Sequence, residues 1–560
     1  MTDQRSASQI LFGHLPDQTV DVRGGVWRVV RWLRPRVEAT VDDETLRREL
    51  RRLAAEWAQN GRDGGFVQDL FQGASMRVLS LDRDRGIELQ PFPKIWICGN
   101  RNCRRLLDAP DARCPCESQT RKGQLHFVGY CDNCGALREP WIPKCQAHQQ
   151  CRITFPGTAS GSEIMFSCPV CNIELRRGFG FPGCQCGGRF AFNVHRASSV
   201  YSPRSVVIVN PPSRETMRRL REGGGGLRAV SWVVDGMTER TMLEGRPDRE
   251  ALRRQLSGQG LRPEVIENML QAADAAGGFA ADNRIKIPPT IAEDVEGQAI
   301  TIALATFESR VRIRDLEARV PAGSALATLY RDGYAPVLDE AGLDRVEFID
   351  RFPVLTGHFG YTRGNPSPGQ SRLRAFRETD GTYSVYGDIA ETEALFIRLA
   401  PEKVATWLRE RGHTVPDWND RSSASQAILL ASANEVVRAD IDTLTHSFAH
   451  RLIRLTAVYA GIERNALSEL LVPRHLGFFI YAAARGDFVL GGLQAVFESE
   501  LDALLREFVD GEHRCALDPG CTTGGGACVA CLHLGEPSCR WFNMLLDRRT
   551  LTGPRGFLDR

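Results

Sequence analysis

The stretch "CDNCGALREPWIPKCQAHQQC", residues 131–151, brings four cysteines and a histidine together in one short segment. Two cysteines spaced C-x-x-C on a tight turn can offer both sulfurs to one tetrahedral metal ion. The chain has 17 cysteines, all of which lie either between Cys98 and Cys186 or between Cys515 and Cys539. Ordinary core cysteines would be scattered along the chain. The clustering therefore predicts metal sites.

The spacing of the first twelve cysteines divides them into three consecutive groups of four. The first group is Cys98, Cys103, Cys114 and Cys116; the second is Cys131, Cys134, Cys145 and Cys151; the third is Cys168, Cys171, Cys184 and Cys186. Neighbouring knuckles can interleave, and His148 could replace a cysteine of the second group. Redox chemistry of the thioredoxin type needs a single C-x-x-C at a strand-to-helix turn, which this series of pairs does not resemble.

The stretch "GACVACLHLGEPSC", residues 526–539, belongs to the second cysteine-rich region. Its five candidate ligands are Cys515, Cys521, Cys528, Cys531 and Cys539. One ion needs four of them, so we expect the fifth to be a buried thiol. The two regions together predict three or four zinc ions. Closed four-ligand sites leave no position for a reacting water, so these ions should stabilise the fold and take no part in catalysis.

Composition bounds the function only weakly. The chain has 560 residues, a hydrophobic fraction of 42% and a net charge of +2, which argues neither for nor against nucleic-acid binding. Five of its 71 basic residues are lysine, a bias typical of GC-rich genomes. No apolar run has the length of a signal peptide or a membrane span. We therefore expect a cytoplasmic protein without a membrane-spanning segment.

The pattern predicts a mixed α/β multidomain protein with an inserted zinc-ribbon domain and a C-terminal zinc-binding helical module. Five segments are predicted: 1–90, mixed, with a helix over 42–61; 91–197, the cysteine-rich zinc-ribbon domain; 198–285, helical after the strand "SVVIVNPP"; 286–430, β-rich; and 431–560, the zinc-binding module. The predicted strands of the fourth segment are "QAITIAL", "TYSVYGDI" and "EALFIRL". Residues 248–278 are predicted to form two short helices.

The end of the chain resembles the zinc module of the MrfA helicase family. The matching residues are Gly520-Cys521, Cys528 to Cys531, Cys539, Asn543 and Leu546-Asp547. More of the chain resembles the DrmB family, the helicase-associated proteins of DISARM anti-phage systems. The matching stretches, between about residues 92 and 550, are "FPKIWIC", "HFVGYCDNCGALREPW", "HRASSVYSPRSVVIV", "ETEALFIRL", "DTLTHSFAHRLIRL" and "IYAAARGDFVLGGLQAV". Cys134-Gly135 departs from the Gly-His expected there, and the first 80 residues match poorly.

The resemblance implies a non-catalytic protein that binds a DrmA-type helicase, as a heterodimer, and engages foreign DNA with it. The sequence agrees, because a P-loop requires a Gly-Lys pair and no glycine precedes any lysine here. Two alternatives stay open. One is a stand-alone zinc-dependent DNA-binding regulator. The other is a nucleic-acid-processing enzyme such as a nuclease, which would be expected to need clustered carboxylates for two metal ions.

Two further stretches carry candidate contacts to nucleic acid or to the helicase. In "THSFAH", His446 and His450 lie one helical turn apart, but Ser447 stands where a metalloprotease needs glutamate. On a helical wheel both histidines point away from the apolar stripe, so we expect a polar or partner-facing position. Solvated or structural histidines are one interpretation, and a nucleic-acid or helicase contact is the other. In "GHFGYTRGNPSPG", residues 357–369, His358, Tyr361 and Arg363 could stack on bases or contact phosphate; a surface turn with a few core aromatic residues is the alternative.

Overall fold

A computed structural model describes residues 2–559, except 5–6, 39–40, 82–85, 118–119, 157–160, 240–241, 243–248, 276–284, 308, 484–489, 512, 536–537 and 540. Parts of three sequence stretches lie outside the described residues: 276–278 at the end of the predicted helical pair, 484–489 of "IYAAARGDFVLGGLQAV" and 536–537 of the C-terminal stretch. Among the helices that are described, none combines the length and apolar character needed to cross a membrane.

The chain forms two compact units. The first consists of Met1–Ile208 and Leu355–Ile389, and the second of Val209–Val354 and Ala390–Arg560. Two long strands, Leu343–Thr362 and Tyr383–Leu399, carry residues of both units. The mixed α/β class predicted from the sequence is confirmed, whereas the division into five segments stays a prediction.

In its described residues the first unit contains three helices and several β-strands. Its helices are Ala7–Gly13, Asp43–Gln59 and Phe66–Phe71. An antiparallel sheet has the strand order Thr2–Gln4, Gly86–Pro91, Gly25–Trp32 and Thr19–Val22. The unit has further strands outside this sheet and outside the cysteine-rich region: Arg36–Glu38, Met76–Ser80, Ser202–Val209 and Arg374–Ala375. The residues Met76–Leu79 pair in parallel with Tyr383–Tyr386.

The predicted helix near residue 50 is confirmed as Asp43–Gln59. The carboxylate of Asp42 accepts a hydrogen bond from the Thr45 backbone N–H at 2.8 Å, which satisfies one of the free amides at the start of the helix. Leu46, Leu50, Ala54 and Trp57 recur every three or four residues and are buried. The strand predicted from "SVVIVNPP" is likewise confirmed as Ser202–Val209.

The cysteine-rich region folds into three small three-stranded sheets. The first comprises Leu106–Leu107, Trp96–Ile97 and Gly123–Gln124; the second Leu137–Arg138, Phe127–Cys131 and Phe190–Val194; the third Arg152–Thr154, Met165–Ser167 and Glu174–Arg177. A 3₁₀ turn spans Gly161–Glu163. Such short strands bury little apolar surface, so this region depends on other means of stabilisation.

The second unit is mainly helical. Its helices up to residue 340 are Arg214–Glu222, Gly225–Val234, Arg249–Gly258, Pro263–Ala275, Ala292–Ala305, Ile313–Glu317, Ala325–Thr328 and Tyr334–Glu340. The later ones are Pro401–Glu410, Arg421–Ala431, Glu435–Tyr459, Gly492–Ala495, Leu501–Asp510 and Gly520–Thr523. Shorter 3₁₀ turns are Pro289–Ile291, Arg464–Ala466, Pro473–His475 and Arg548–Thr550, and π-helical turns are Leu329–Gly333 and Val496–Glu500.

The strands of this unit pair antiparallel. Besides the two long strands they are Arg310–Val311, Leu467–Val472 and Gly477–Ala482. The residues Ala394–Arg398 pair with Gly477–Tyr481, whose other edge pairs with Leu467–Val472. The 25-residue helix Glu435–Tyr459 packs on this sheet and places Phe448 and Leu452 in the main core.

One predicted strand is wrong. "QAITIAL" lies within the helix Ala292–Ala305. Its buried residues Val295, Ala299, Ile302 and Ala303 follow a helical period, which a short apolar run cannot distinguish from a strand. The predicted strands "TYSVYGDI" and "EALFIRL" and the predicted helical pair are confirmed.

Candidate metal centres

The first predicted group of cysteines is confirmed. Its ligand atoms belong to Cys98, Cys103, Cys114 and Cys116. The sulfur of Cys98 lies 3.5 Å from that of Cys116, and the sulfur of Cys103 lies 3.5 Å from that of Cys114. A tetrahedral zinc site with metal–sulfur bonds of about 2.3 Å has sulfur atoms about 3.8 Å apart. The spacing therefore suits a four-thiolate ion.

The second and third groups are arranged differently from the predicted sequential pairing. One centre consists of Cys131, Cys134, Cys184 and Cys186. The sulfur of Cys131 lies 3.5 Å from that of Cys186. The strand Phe127–Cys131 pairs antiparallel with Phe190–Val194, opposite Phe190 at Cys131, and so brings the "CQC" turn back to "CDNC". Gly135, with a φ of +71°, donates its N–H to the Cys131 carbonyl and closes the turn.

The other centre consists of Cys145, His148, Cys168 and Cys171. Nδ1 of His148 lies 3.5 Å from the sulfurs of both Cys145 and Cys168. His148 therefore takes the place of a fourth cysteine in this group, which is one of the arrangements that the sequence left open. The spacing in the sequence places Cys151 with Cys131, Cys134 and Cys145, whereas in the structure its side chain packs in an apolar core with Ile153 and Phe166.

Four of the five C-terminal cysteines form a fourth group: Cys515, Cys521, Cys528 and Cys531. The sulfurs of Cys515 and Cys528 are 3.4 Å apart, and those of Cys521 and Cys531 are 3.6 Å apart. The glycine run 524–526 reverses the chain as its composition suggests, since Gly525 and Gly526 have positive φ angles of 106° and 84°.

The fifth C-terminal cysteine, Cys539, belongs to another group, with His446, His450 and Glu469. The exposed fractions of these residues are 1%, 0%, 0% and 1%. The expectation that both histidines occupy a polar or partner-facing surface is wrong. The helical wheel considers one helix alone, whereas here the C-terminal segment covers the face opposite the apolar stripe, and Nδ1 of His450 donates to the Leu532 carbonyl at 2.9 Å.

Glu469 is the residue of this group that sequence reasoning missed. It lies in the buried strand Leu467–Val472, whose sequence is "LSELLV". A carboxylate in a buried apolar strand is costly unless it has a cationic or hydrogen-bonding partner. A glutamate within an apolar strand sequence is therefore the signal that could have indicated Glu469 as a functional residue.

The electrostatics of the cysteine groups differ from sulfur to sulfur. Burial raises the pKa of Cys103, Cys131 and Cys521 to about 12. The Gly188 backbone N–H and the Asn133 side chain lower the pKa of Cys186 to about 6. At neutral pH the thiols of Cys103, Cys131 and Cys521 thus keep their protons unless a cation replaces them. Such groups can bind a divalent metal with release of protons.

The candidate contacts on residues 357–369 are not at a surface. His358, Tyr361 and Arg363 are buried, with exposed fractions of 5%, 4% and 1%. The Arg363 guanidinium donates to the carbonyls of Gly135, Val200 and Asp17 at 2.8, 2.6 and 3.0 Å. It therefore holds loops of the first unit together. The prediction that these three side chains contact nucleic acid or a partner is not supported, because no ligand could reach them without local opening.

The fold and these centres define a mixed α/β protein with several cysteine-rich groups that could hold metal ions. A domain of unknown function, DUF8724, matches residues 6–210. The DISARM protein DrmB of Bacillus paralicheniformis is 26% identical over 534 residues, which cover 85% of this chain and 90% of that relative. The resemblance to DrmB indicated by the sequence motifs is thereby confirmed: the chain is similar to a DISARM DrmB protein over most of its length.

Proposed function

We propose that this protein acts in DISARM anti-phage defence as a non-catalytic, zinc-binding partner of a DrmA-type helicase in the cytoplasm, with which it forms a heterodimer on DNA. The observation that carries the proposal is the similarity to DISARM DrmB over most of both chains. The C-terminal segment would serve as an MrfA-type zinc module, as its cysteine spacing suggests.

Zinc is the ion that the donor sets favour. Three groups offer four cysteines each, and one offers three cysteines and a histidine. Soft thiolate donors at tetrahedral spacing select zinc over magnesium or calcium, which prefer oxygen. Bound there, zinc would supply a structural cross-link. The short strands of the cysteine-rich region then gain folding free energy that their small apolar core does not provide.

The non-catalytic role has two supports. The sequence contains no Gly-Lys pair and so no P-loop. The four cysteine-rich groups each have four protein ligands, which leaves no open coordination position for a substrate or an activated water. ATP hydrolysis is therefore assigned to the helicase, and this chain positions DNA or the helicase.

The test is an ATPase assay with a DrmA-type helicase. The two proteins are assayed alone and mixed, with and without single-stranded DNA. We expect no turnover by this chain alone and a DNA-dependent increase when the helicase is mixed with it. Turnover that persists in this chain through an additional purification column contradicts the non-catalytic role. Failure of the two proteins to co-elute in gel filtration contradicts the partnership.

A further inference from the structure

Four buried donor atoms converge from three elements of the second unit. The helix Glu435–Tyr459 supplies His446 and His450, one turn apart; the strand Leu467–Val472 supplies Glu469; the C-terminal segment supplies Cys539. All their ligand atoms lie within 4.8 Å of one another. Since none of the four side chains is more than 1% exposed, water does not satisfy them.

The distances suit a mixed-donor tetrahedral ion. Nε2 of His446 lies 3.0 Å from Oε1 of Glu469 and 3.4 Å from the sulfur of Cys539. Nε2 of His450 lies 3.3 Å from Oε2 of Glu469. For zinc bound to nitrogen and oxygen at about 2.0–2.1 Å and to sulfur at about 2.3 Å, ligand atoms lie roughly 3.3–3.6 Å apart.

Hydrogen bonding does not account for this arrangement. Both carboxylate oxygens of Glu469 and Nε2 of His450 are buried and, among the described residues, form no hydrogen bond of acceptable geometry. Leaving a buried carboxylate unsatisfied is strongly unfavourable. The Glu469 oxygens and Nε2 of His450 approach one another without aligning a donor hydrogen to an acceptor, as lone pairs do when they point to a common cation.

The surrounding contacts orient the donors. Nδ1 of His450 donates to the Leu532 carbonyl, which leaves Nε2 as the free lone pair. The Asn543 backbone N–H donates to the Cys539 sulfur at 3.2 Å, an interaction that stabilises a thiolate. Asn543 is fixed in turn by hydrogen bonds between its side-chain amide and the backbone of Leu534 at 2.9 Å.

Charge balance fits a divalent ion. One thiolate, one carboxylate and two neutral imidazoles carry two negative charges, which a divalent cation neutralises. A neutral complex is the form that a fully dry site tolerates best.

We propose that His446, His450, Glu469 and Cys539 form a further metal site that holds one zinc ion. The site is closed, so its role is structural: it fastens the C-terminal segment, which also carries the Cys515–Cys531 group, to the long helix. This inference does not depend on the DISARM role.

The test is metal analysis of the full-length protein purified without oxygen or chelator. We expect Cys539→Ser and Cys528→Ser each to lose about one zinc per chain and the double variant to lose about two. Cys151→Ser, which changes a buried sulfur outside both groups, should keep the zinc content of the unmodified protein. A Cys539→Ser protein with unchanged zinc content, or a double variant that loses only one ion, would overturn the proposal.

A second measurement needs no variant and so does not depend on a variant's folding. The unmodified protein is produced with ¹¹³Cd in place of zinc and studied by ¹¹³Cd NMR, because the cadmium shift moves upfield as sulfur ligands are replaced by nitrogen and oxygen. We expect one resonance from a single-sulfur site, well upfield of those from the three- and four-sulfur groups. The absence of such a resonance counts against the site.

Discussion

The sulfur of Cys134 lies 3.5 Å from the sulfur of Cys184, fifty residues away in the sequence. The group of Cys145 to Cys171 lies within that loop along the chain, so the two centres are nested and not consecutive. The antiparallel pairing of Phe127–Cys131 with Phe190–Val194 closes the loop. An ion at the outer centre would therefore lock a segment that includes the inner one.

The nested arrangement makes a prediction about paired substitutions. Cys134→Ser and Cys184→Ser remove ligands of the same ion, so the double variant should lose about one zinc per chain, no more than either single variant. Cys134→Ser combined with Cys168→Ser should lose about two. Metal content per folded chain, measured by mass spectrometry, distinguishes the two cases.

The comparison between the two double variants is its own control, because each carries two Cys→Ser changes in the same region. Consecutive groups would give a different result: Cys134→Ser with Cys184→Ser would then lose two ions, as many as Cys134→Ser with Cys168→Ser. That outcome would contradict the pairing seen in the structure.

Whether the sequence reveals a metal group depends on how local its ligands are. Cys98 to Cys116 lie within a short segment, so spacing alone predicts that group. For the C-terminal group spacing predicts one ion among five cysteines, and the structure shows which four converge. The pairing of Cys131 with Cys186 depends on which strands pair and in what register, and the spacing of cysteines in the sequence does not reveal that. The burial of His446 and His450 also depends on tertiary structure, because only the folded chain shows that the C-terminal segment covers them. "QAITIAL" was ambiguous because buried helices and strands can share an apolar run.

Arg363 should contribute to stability and not to DNA binding. Its guanidinium donates to three backbone carbonyls and lies 4.7 Å from the centre of the Tyr361 ring. Arg363→Ala leaves those carbonyls without this donor and should lower the free energy of unfolding by about 3 kcal/mol. Arg363→Lys should recover only part of the loss, since an ammonium lacks the planar fork. Urea unfolding measures both.

The matched control is Arg218→Ala. Arg218 lies on the helix Arg214–Glu222 with its side chain 57% exposed, and its ion pairs with Glu215 and Glu222 are at the surface. Its loss should hardly change the free energy of unfolding, because exposed ion pairs contribute little net stability. Equal effects at the two positions, or a loss of DNA affinity in a fully folded Arg363→Lys protein, would contradict the structural role.

His475 should make the stability of the protein depend on pH. Burial lowers the pKa of His475 to about 4, and its Nε2–H donates to the Val295 carbonyl at 2.8 Å. In the unfolded chain the pKa is about 6.5, so the unfolded state binds the extra proton between these values. The stabilisation is full above about pH 6.5 and is lost as pH falls toward 4, by up to roughly 3 kcal/mol.

His475→Gln removes this titration. The variant should be less stable than the unmodified protein at pH 7, and the difference between them should shrink as the pH is lowered. Comparing the two proteins at each pH cancels the effects of metal loss and of other groups. A difference in unfolding free energy that stays constant from pH 7 to pH 4.5 would show that His475 does not titrate as described.

DNA affinity should depend on phosphate contacts if the protein acts with a helicase. Phosphate binding releases counterions whatever the base sequence, so the affinity should fall steeply with salt and vary little between sequences. With a net charge of +2 the chain alone should bind weakly, and the helicase should strengthen binding because both proteins then contact the strand. Fluorescence anisotropy with labelled single-stranded and overhang DNA, at several salt concentrations with and without the helicase, measures this affinity.

A stand-alone regulator would instead prefer its site over random DNA by roughly a thousandfold or more through base-edge contacts. Tight, sequence-selective binding by this chain alone would therefore overturn the helicase-partner proposal.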